Sequence, residues 1–155
     1  MKPYEIFSSR FGGKITFNQD YIVEKGQRYY LLIPQLKKII KSDFYYAGLY
    51  LGKIRKGIFF PSFNLLSLLL GVAANKVVVD SKSGWLFICG RDVFQVGIVK
   101  SMGSKLKGDL TLVLNEFGEC LGFGKIVNSF QVPDNEVVVK NILDVGDFLR
   151  REHNL

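Results

Sequence analysis

The chain has 155 residues, enough for one domain or two small ones, and its 48% hydrophobic and 23% charged residues argue against disorder. Cys89 and Cys120 form no CxxC pair and His153 is the only histidine, so a zinc site or a histidine-based catalytic triad is nearly excluded. The net charge of +7 lies entirely in residues 1–74, which indicates an anionic partner such as nucleic acid, or equally a charge kept for solubility.

The first half mixes short β patterns with helical ones. Runs of β-branched and aromatic residues predict strands at 14–17, 21–24 and 29–33, and a hairpin of strands 45–54 and 57–60. Pro34 suits the first turn of a helix with an apolar face. A second helix is predicted at 65–74, capped by Ser62 or Asn64, and it is so apolar that it must be packed.

Two segments bear on export and membranes. Residues 1–13 lack the continuous apolar stretch of a secretory signal. The most apolar stretch, residues 59–74, has 16 residues, whereas about 20 are needed to cross a bilayer. We therefore expect a soluble, intracellular protein.

Asn75 marks the expected boundary between an N-terminal domain, residues 1–74, and a second domain, residues 75–155. Beyond it the pattern predicts strands at 76–79, 85–89, 109–115, 120–126 and 136–140, a short helical stretch ending near 95, and a closing helix at 143–151. Several short strands with one or two short helices are typical of a small β-barrel, with Trp85 expected in its core. The expected fold class is α+β.

Motifs for catalysis are missing from the sequence. There is no GxSxG or HExxH, no cysteine has a histidine nearby, and Gly12-Gly13-Lys14 lacks the remaining residues of a phosphate-binding loop. Asp92 and Asp109 could pair in space, but capping or turn roles explain them better. We therefore expect no catalytic residue, no metal site, no cofactor and no enzymatic activity.

The second half carries a longer pattern of glycine motifs. The pieces are Gly90-Arg91-Asp92-Val93, Val96-Gly97-Ile98, Gly108-Asp109, a glycine-punctuated hairpin at 115–124, and a closing strand and helix at 137–150. Together they resemble a PUA domain, a β pseudobarrel that binds RNA. With the α/β pattern of the first half, we expect an α+β protein in which a small antiparallel α/β domain precedes this pseudobarrel.

The first half of the sequence is similar to a more specific family of PUA-domain proteins. Tyr29-Tyr30-Leu31-Leu32-Ile33, then Gly52-Lys53-Ile54-Arg55-Lys56, then residues 63–74 directly before the PUA pattern are similar to the Nip-seven family of ribosome-biogenesis factors. This resemblance extends over residues 14–155. It implies a non-catalytic RNA-binding factor in pre-rRNA processing and large ribosomal subunit biogenesis.

Candidate RNA contacts follow from the resemblance and from local charge. In the family the basic residues at the end of the PUA helix are implicated in RNA contact, which implies Arg150 and Arg151 here; their alternative role is a solvated helix end. The loop with Lys100, Lys105 and Lys107 has no acidic residue between positions 93 and 108 and predicts a phosphate-tracking edge. Weaker candidates are Arg91 and Lys125, and the N-terminal domain offers a possible basic patch of Lys53, Arg55 and Lys56. Tyr45, Tyr46 and Tyr50 could stack on bases, although aromatics at strand spacing more often lie in a core.

The expected partners are pre-rRNA, single-stranded or rich in U or AU, and other ribosome-assembly or RNA-processing proteins, with the chain itself a monomer. Location depends on the source: cytoplasm in an archaeon, nucleolus in a eukaryote. Two alternatives stay open. One is an accessory subunit of an RNA-modification enzyme, and the other is a protein-interaction adaptor in pre-ribosome assembly that docks through the helical surface of residues 63–74.

Overall fold

The computed structural model describes residues 1–41, 43–147 and 150. It contains two β-sheets, one of four strands and one of six, flanked by short helices. This mixed α+β architecture is the fold class that the sequence predicts. Among the described residues, every helix is too short or too polar to cross a membrane.

The first sheet is built from residues in the first half of the chain. Its elements, in order, are α1 Pro3–Ser9, β1 Ile22–Lys25, β2 Arg28–Leu31, α2 Pro34–Ile39, β3 Leu49–Arg55, β4 Ile58–Pro61 and α3 Phe63–Leu69. The strands pair in sequence order, each antiparallel to the next. The β3–β4 hairpin turns on Lys56 and Gly57, whose positive φ angles of 50° and 75° suit the twist of a tight hairpin.

The second sheet is larger and curls into a half-barrel. Its elements are β5 Lys76–Val79, α4 Ser81–Ile88, β6 Val93–Phe94, β7 Ile98–Met102, β8 Leu110–Leu114, β9 Cys120–Ile126 and β10 Val137–Asp144. The strands are ordered β6-β10-β9-β8-β5-β7. All neighbours are antiparallel except β5 and β8, which are parallel.

One hydrophobic cluster joins the two sheets. It contains residues of α1, α3 and β3 together with Leu110, Leu112 and Leu114 of β8 and Phe123 of β9. The ring of Phe123 lies 5.4 Å from that of Phe7 and 5.6 Å from that of Phe11, both in edge-to-face contact. The two predicted domains therefore share a core, and the boundary at residue 75 remains a prediction.

Several predicted elements are confirmed. Strand 120–126 has the predicted bounds, the helix begins at Pro34, and the β3–β4 hairpin turns near residue 56. Ser62 caps α3, accepting a hydrogen bond from the Leu65 backbone N–H at 3.2 Å. This helix is packed as predicted, with Leu65, Leu66 and Leu69 fully buried, so only its remaining residues could meet a partner.

The strand predicted at 85–89 is wrong. These residues end helix α4, whose N-terminus is capped by Asp80 accepting from the Ser83 backbone N–H at 2.7 Å. A short apolar run does not distinguish a strand from a helix by its pattern alone. The expectation that Trp85 lies in the barrel core is wrong too, because the side chain is 65% exposed on the outer side of α4.

Two other boundaries differ from the predictions. Residues 14–17 form no strand, and β10 continues to Asp144, so the closing helix begins later than residue 143. Residues 146, 147 and 150 are helical. Arg151 and the rest of that predicted helix lie outside the described residues.

Candidate nucleic-acid interface

The loop between β7 and β8 is held at both ends by hydrogen bonds. Gly103 turns the chain with a φ of 76°, and a Cβ there would lie 2.5 Å from the Ala74 carbonyl oxygen, so only glycine fits. The Ser104 backbone N–H donates to Asn75 Oδ1 at 2.8 Å, and the Ser104 hydroxyl donates to the Asp109 carboxylate. The loop backbone is therefore fixed while the side chains of Lys105 and Lys107 remain exposed.

These lysines line a groove of about 570 Å³. Lys100 of β7 lies on the same groove, and the segment of Ser129, Phe130 and Gln131 also lines it. Lys105 Nζ lies 6.0 Å from the centre of the Phe130 ring, within the range of a cation–π contact. The structure thus brings together all three lysines that the sequence predicts as a phosphate-tracking edge; we name this site the lysine groove.

The position of Lys100 depends on close packing at the start of β7. Lys100 pairs in register with Val78 of β5, and Gly97 immediately precedes the strand. A Cβ on Gly97 would lie 1.9 Å from the Ser83 hydroxyl oxygen, so this glycine allows α4 to pack against the start of β7. Phe130 is an aromatic residue of the groove that the sequence analysis missed, because a single aromatic in a turn segment has no periodicity or motif that would indicate a binding role.

Arg150 is placed elsewhere, in a polar network between α4 and β10. Its guanidinium donates two hydrogen bonds to the Asp144 carboxylate, at 2.9 and 3.1 Å, and one to the Ile88 carbonyl oxygen at 2.7 Å. The hydrogen bond with Asp144 is the largest cause of the raised pKa of Arg150. Asp144 is only 2% exposed, so Arg150 supplies the opposite charge that a buried carboxylate needs.

Asn141 extends this network. Its backbone N–H donates to Asp92 Oδ1 at 2.8 Å, and its side-chain amide donates to Asp144 Oδ2 at 3.0 Å and to the Phe87 carbonyl oxygen at 2.9 Å. Asp92 therefore joins the segment after α4 to β10, and Asp144 accepts hydrogen bonds from Asn141 and Arg150 in the same network. The glycine motif around Asp92 reflects this structural role.

The remaining predicted contacts are scattered. Arg91 is exposed after α4, and Lys125 is exposed on β9, where it pairs with Lys140 of β10. Neither lines the lysine groove. Lys53, Arg55 and Lys56 lie at the β3–β4 hairpin, on the other sheet.

The tyrosines of the first half divide between core and surface. Tyr45 and Tyr46 are 91% and 57% exposed, whereas Tyr50 is half-buried. A cleft of about 150 Å³ is lined by all three, with Tyr30 and Arg28. Arg28 is a second residue that sequence analysis missed, because three of its four neighbours in this cleft, Tyr45, Tyr46 and Tyr50, are about 20 residues away in the chain.

The sequence and fold both have relatives among known proteins. Residues 75–153, just over half of the chain, match the UPF0113 PUA domain family. A UPF0113 protein from Archaeoglobus fulgidus is 30% identical over 112 residues, which are 70% of this chain and 63% of that protein. The chain therefore spans less than two thirds of the length of this relative.

Two solved structures share the fold. A conserved PUA domain protein from Thermoplasma acidophilum matches with a TM-score of 0.62 at 21% identity, over 96% of this chain and 90% of its own. A PUA domain from Aeropyrum pernix matches with a TM-score of 0.52 at 22% identity, over 60% of this chain and 55% of its own. These likenesses support the pseudobarrel for the second sheet. The chain therefore belongs to the UPF0113 family, and residues 75–153 are its PUA domain.

Proposed function

We propose that this protein is a non-catalytic RNA-binding factor and that the lysine groove is where its PUA domain contacts RNA. The main observation in support is that Lys100, Lys105 and Lys107 all line one groove beside Phe130. The PUA half has no net charge, so this local concentration of positive charge is not a general property of its surface. Ammonium groups suit phosphate oxygens, and an aromatic ring offers a face on which a base can stack.

We also propose the finer role that the sequence resemblance implies, in pre-rRNA processing and large ribosomal subunit biogenesis. The expected cellular location, cytoplasm or nucleolus according to source, belongs to this proposal. It is tested by sedimenting extracts of the source cell and locating the tagged protein. Co-sedimentation with large-subunit precursors supports the role, and a protein confined to the free fractions at all salt concentrations contradicts it.

The groove is tested by titrating a labelled twenty-nucleotide U-rich RNA and following its anisotropy. The test variant is Lys105→Ala/Lys107→Ala, and the charge-matched control is Lys82→Ala/Lys140→Ala, whose lysines are exposed in the same half but do not line the groove. Each phosphate contact on a single strand adds about 0.7 to the slope of log affinity against log salt. We expect the test variant to bind about tenfold more weakly at 0.1 M salt, with a slope lower by about 1.4.

The control pair should stay within about twofold of wild type, because its lysines contact no phosphate in this proposal. Equal loss in both variants would mean that only net charge matters. Unchanged binding in the groove variant would place the RNA elsewhere on the chain.

A further inference from the structure

The first sheet has two unlike faces. The inner face packs on α1 and α3, with Tyr29 and Leu51 buried and Ile54 and Phe59 packed against the same core. Strand β3 has a bulge at Leu51, since Tyr29 pairs with Gly52 and Tyr30 with Tyr50. Because side chains otherwise alternate along a strand, the neighbours of Tyr29, Ile54 and Phe59 point to the opposite side. We call this side the outer face; its members at the hairpin end of the sheet are Lys25, Arg28, Lys53, Arg55, Ile58 and Phe60.

Basic and apolar side chains lie next to each other on the outer face. In the strand register Arg28 is opposite Lys53, Lys53 is opposite Phe60, and Arg55 is opposite Ile58. Phe60 and Ile58 are 43% and 62% exposed, so their apolar surfaces adjoin the basic side chains in contact with solvent.

Most of the net positive charge of the protein lies in the chain segment that contains the strands of this sheet. Residues 22–61 carry eight lysines and arginines and two acidic residues, a net charge of +6 out of +7 for the whole chain. One of the two acids, Glu24, is the register partner of core residue Tyr29 and so belongs to the inner side. The six outer-face residues named above include no acid, and the second acid, Asp43, is exposed two residues before Tyr45.

Aromatic rings adjoin the basic residues. Arg28 lines the 150 Å³ cleft with Tyr30, Tyr45, Tyr46 and Tyr50. The buried ring of Tyr30 holds that of Tyr46 at 5.4 Å and 83°, so Tyr46 is oriented although it is exposed. Burial raises the pKa of Tyr50, and the positive charge of Arg28 opposes that rise.

We propose that the outer face, with Tyr45 and Tyr46, is a second binding surface and that its ligand is single-stranded RNA. Exposed rings beside lysines and arginines are the combination that binds single strands, because bases stack on the rings while the cations follow the phosphates. Duplex bases are already stacked on one another and offer no free face. An acidic protein segment would use the cations alone, which makes it the alternative that the experiment must separate.

This inference shares its ligand with the proposed function but uses other residues. The two proposals are therefore tested by different variants. Loss of binding in the Lys105→Ala/Lys107→Ala variant concerns only the groove, and loss of binding in an outer-face variant concerns only the first sheet. An RNA long enough to touch both surfaces should bind more tightly than a short one, since the second contact becomes intramolecular.

The charge test compares Lys53→Ala/Arg55→Ala with Lys38→Ala/Lys41→Ala, which removes the same charge from the same +6 segment. The control lysines lie on and just after α2, which packs near Tyr30 and Leu32, away from the β3–β4 hairpin. Anisotropy is measured with the same twenty-nucleotide RNA at two salt concentrations. We expect about tenfold weaker binding for the first pair and a change within about twofold for the second. Equal affinities of the two variants would overturn the proposal.

The aromatic test uses Tyr45, whose 91% exposure means that its removal leaves the fold intact. Tyr45→Ala should weaken RNA binding at least about fivefold, and Tyr45→Phe, which keeps the ring, should stay within about twofold of wild type. RNA containing 5-iodouridine, irradiated on the wild-type protein, should cross-link to the peptide holding Tyr45 and Tyr46. Loss of binding with the lysine pair but not with Tyr45→Ala, together with no cross-link there, would favour an acidic partner and contradict the RNA assignment.

Discussion

At the residue scale, Arg150 shows how a side chain chosen for its charge can already be used by the fold. The sequence offers an arginine near the end of a predicted helix, a position that suits phosphate binding. In the structure its guanidinium is bound to Asp144 and to the Ile88 carbonyl oxygen, so three of its donors serve the fold. We therefore interpret Arg150 as a residue that stabilises the fold rather than as an RNA contact.

Replacing Arg150 should reveal this role. In Arg150→Ala the buried Asp144 carboxylate loses its opposite charge, and we expect the Tm to fall by several degrees. Arg91→Ala is the matched control, because Arg91 is an exposed arginine of the same half, and its Tm should not change. RNA affinity measured well below the lowered Tm should stay within about twofold of wild type; a large loss there, with an unchanged Tm, would restore Arg150 as an RNA contact.

Four buried or half-buried titratable groups predict weakening of the fold at alkaline pH. Burial raises the pKa of Tyr4, Tyr29, Tyr50 and the Cys120 thiol. In the unfolded chain these groups lose their protons near their ordinary pKa values, about 8.5 for cysteine and 10 for tyrosine. Above those values the unfolded state binds fewer protons than the folded one, so stability falls as pH rises.

Urea unfolding at pH 7.5, 9 and 10 measures this effect. We expect the free energy of unfolding to fall between the last two values. Tyr29→Phe should reduce the fall, and Tyr45→Phe, with its exposed ring, should not. A free energy that is flat to pH 10 would contradict the assignment.

At the element scale, the sequence predicts best where periodicity and turn chemistry agree. The β9 strand, the β3–β4 hairpin and the helix start at Pro34 each combine a clear pattern with a glycine or proline at the correct end. The lysine loop was found because its charge stands out within a neutral half. Its groove could not be predicted, because Phe130 reaches Lys105 only after the second sheet curls.

The failures have a common cause in tertiary packing. Helix α1 has only seven residues, but Tyr4 and Phe7 are buried by sheet residues that lie far away in sequence. In α4 the apolar run at 85–89 fits a strand equally well until Asp80 caps the preceding turn. The sequence analysis named Lys53, Arg55 and the tyrosines separately, but it could not place Arg28 beside Lys53, because cross-strand register is invisible in linear order.

At the scale of the whole molecule, the two sheets depend on one another through Phe123. Its ring meets Phe7 and Phe11 of the N-terminal segment although it belongs to a strand of the PUA domain. Truncating it would open a cavity at the junction of the two sheets rather than inside either one. Cooperativity between the two halves should therefore depend on this side chain.

Phe123→Ala should destabilise the protein by about 3–5 kcal/mol, the usual cost of removing a buried phenylalanine. Phe117→Ala is the control, because Phe117 is 90% exposed in the β8–β9 turn and should change stability by less than about 0.5 kcal/mol. Thermal unfolding of the wild type should be one transition by circular dichroism and calorimetry. Two separate transitions in the wild type, or equal effects of the two substitutions, would show that the halves are energetically independent.

The contact of α1 with β9 also bears on the order of events during synthesis. Phe7 and Phe11 are made more than a hundred residues before Phe123, and until β9 has left the ribosome this one of their packing partners does not exist. The first half must then wait with part of its apolar surface uncovered, at a stage when exposed apolar surface invites aggregation. Translation speed through residues 75–123 therefore sets how long that exposure lasts, and slowing it should lower the soluble yield more than slowing translation after residue 126.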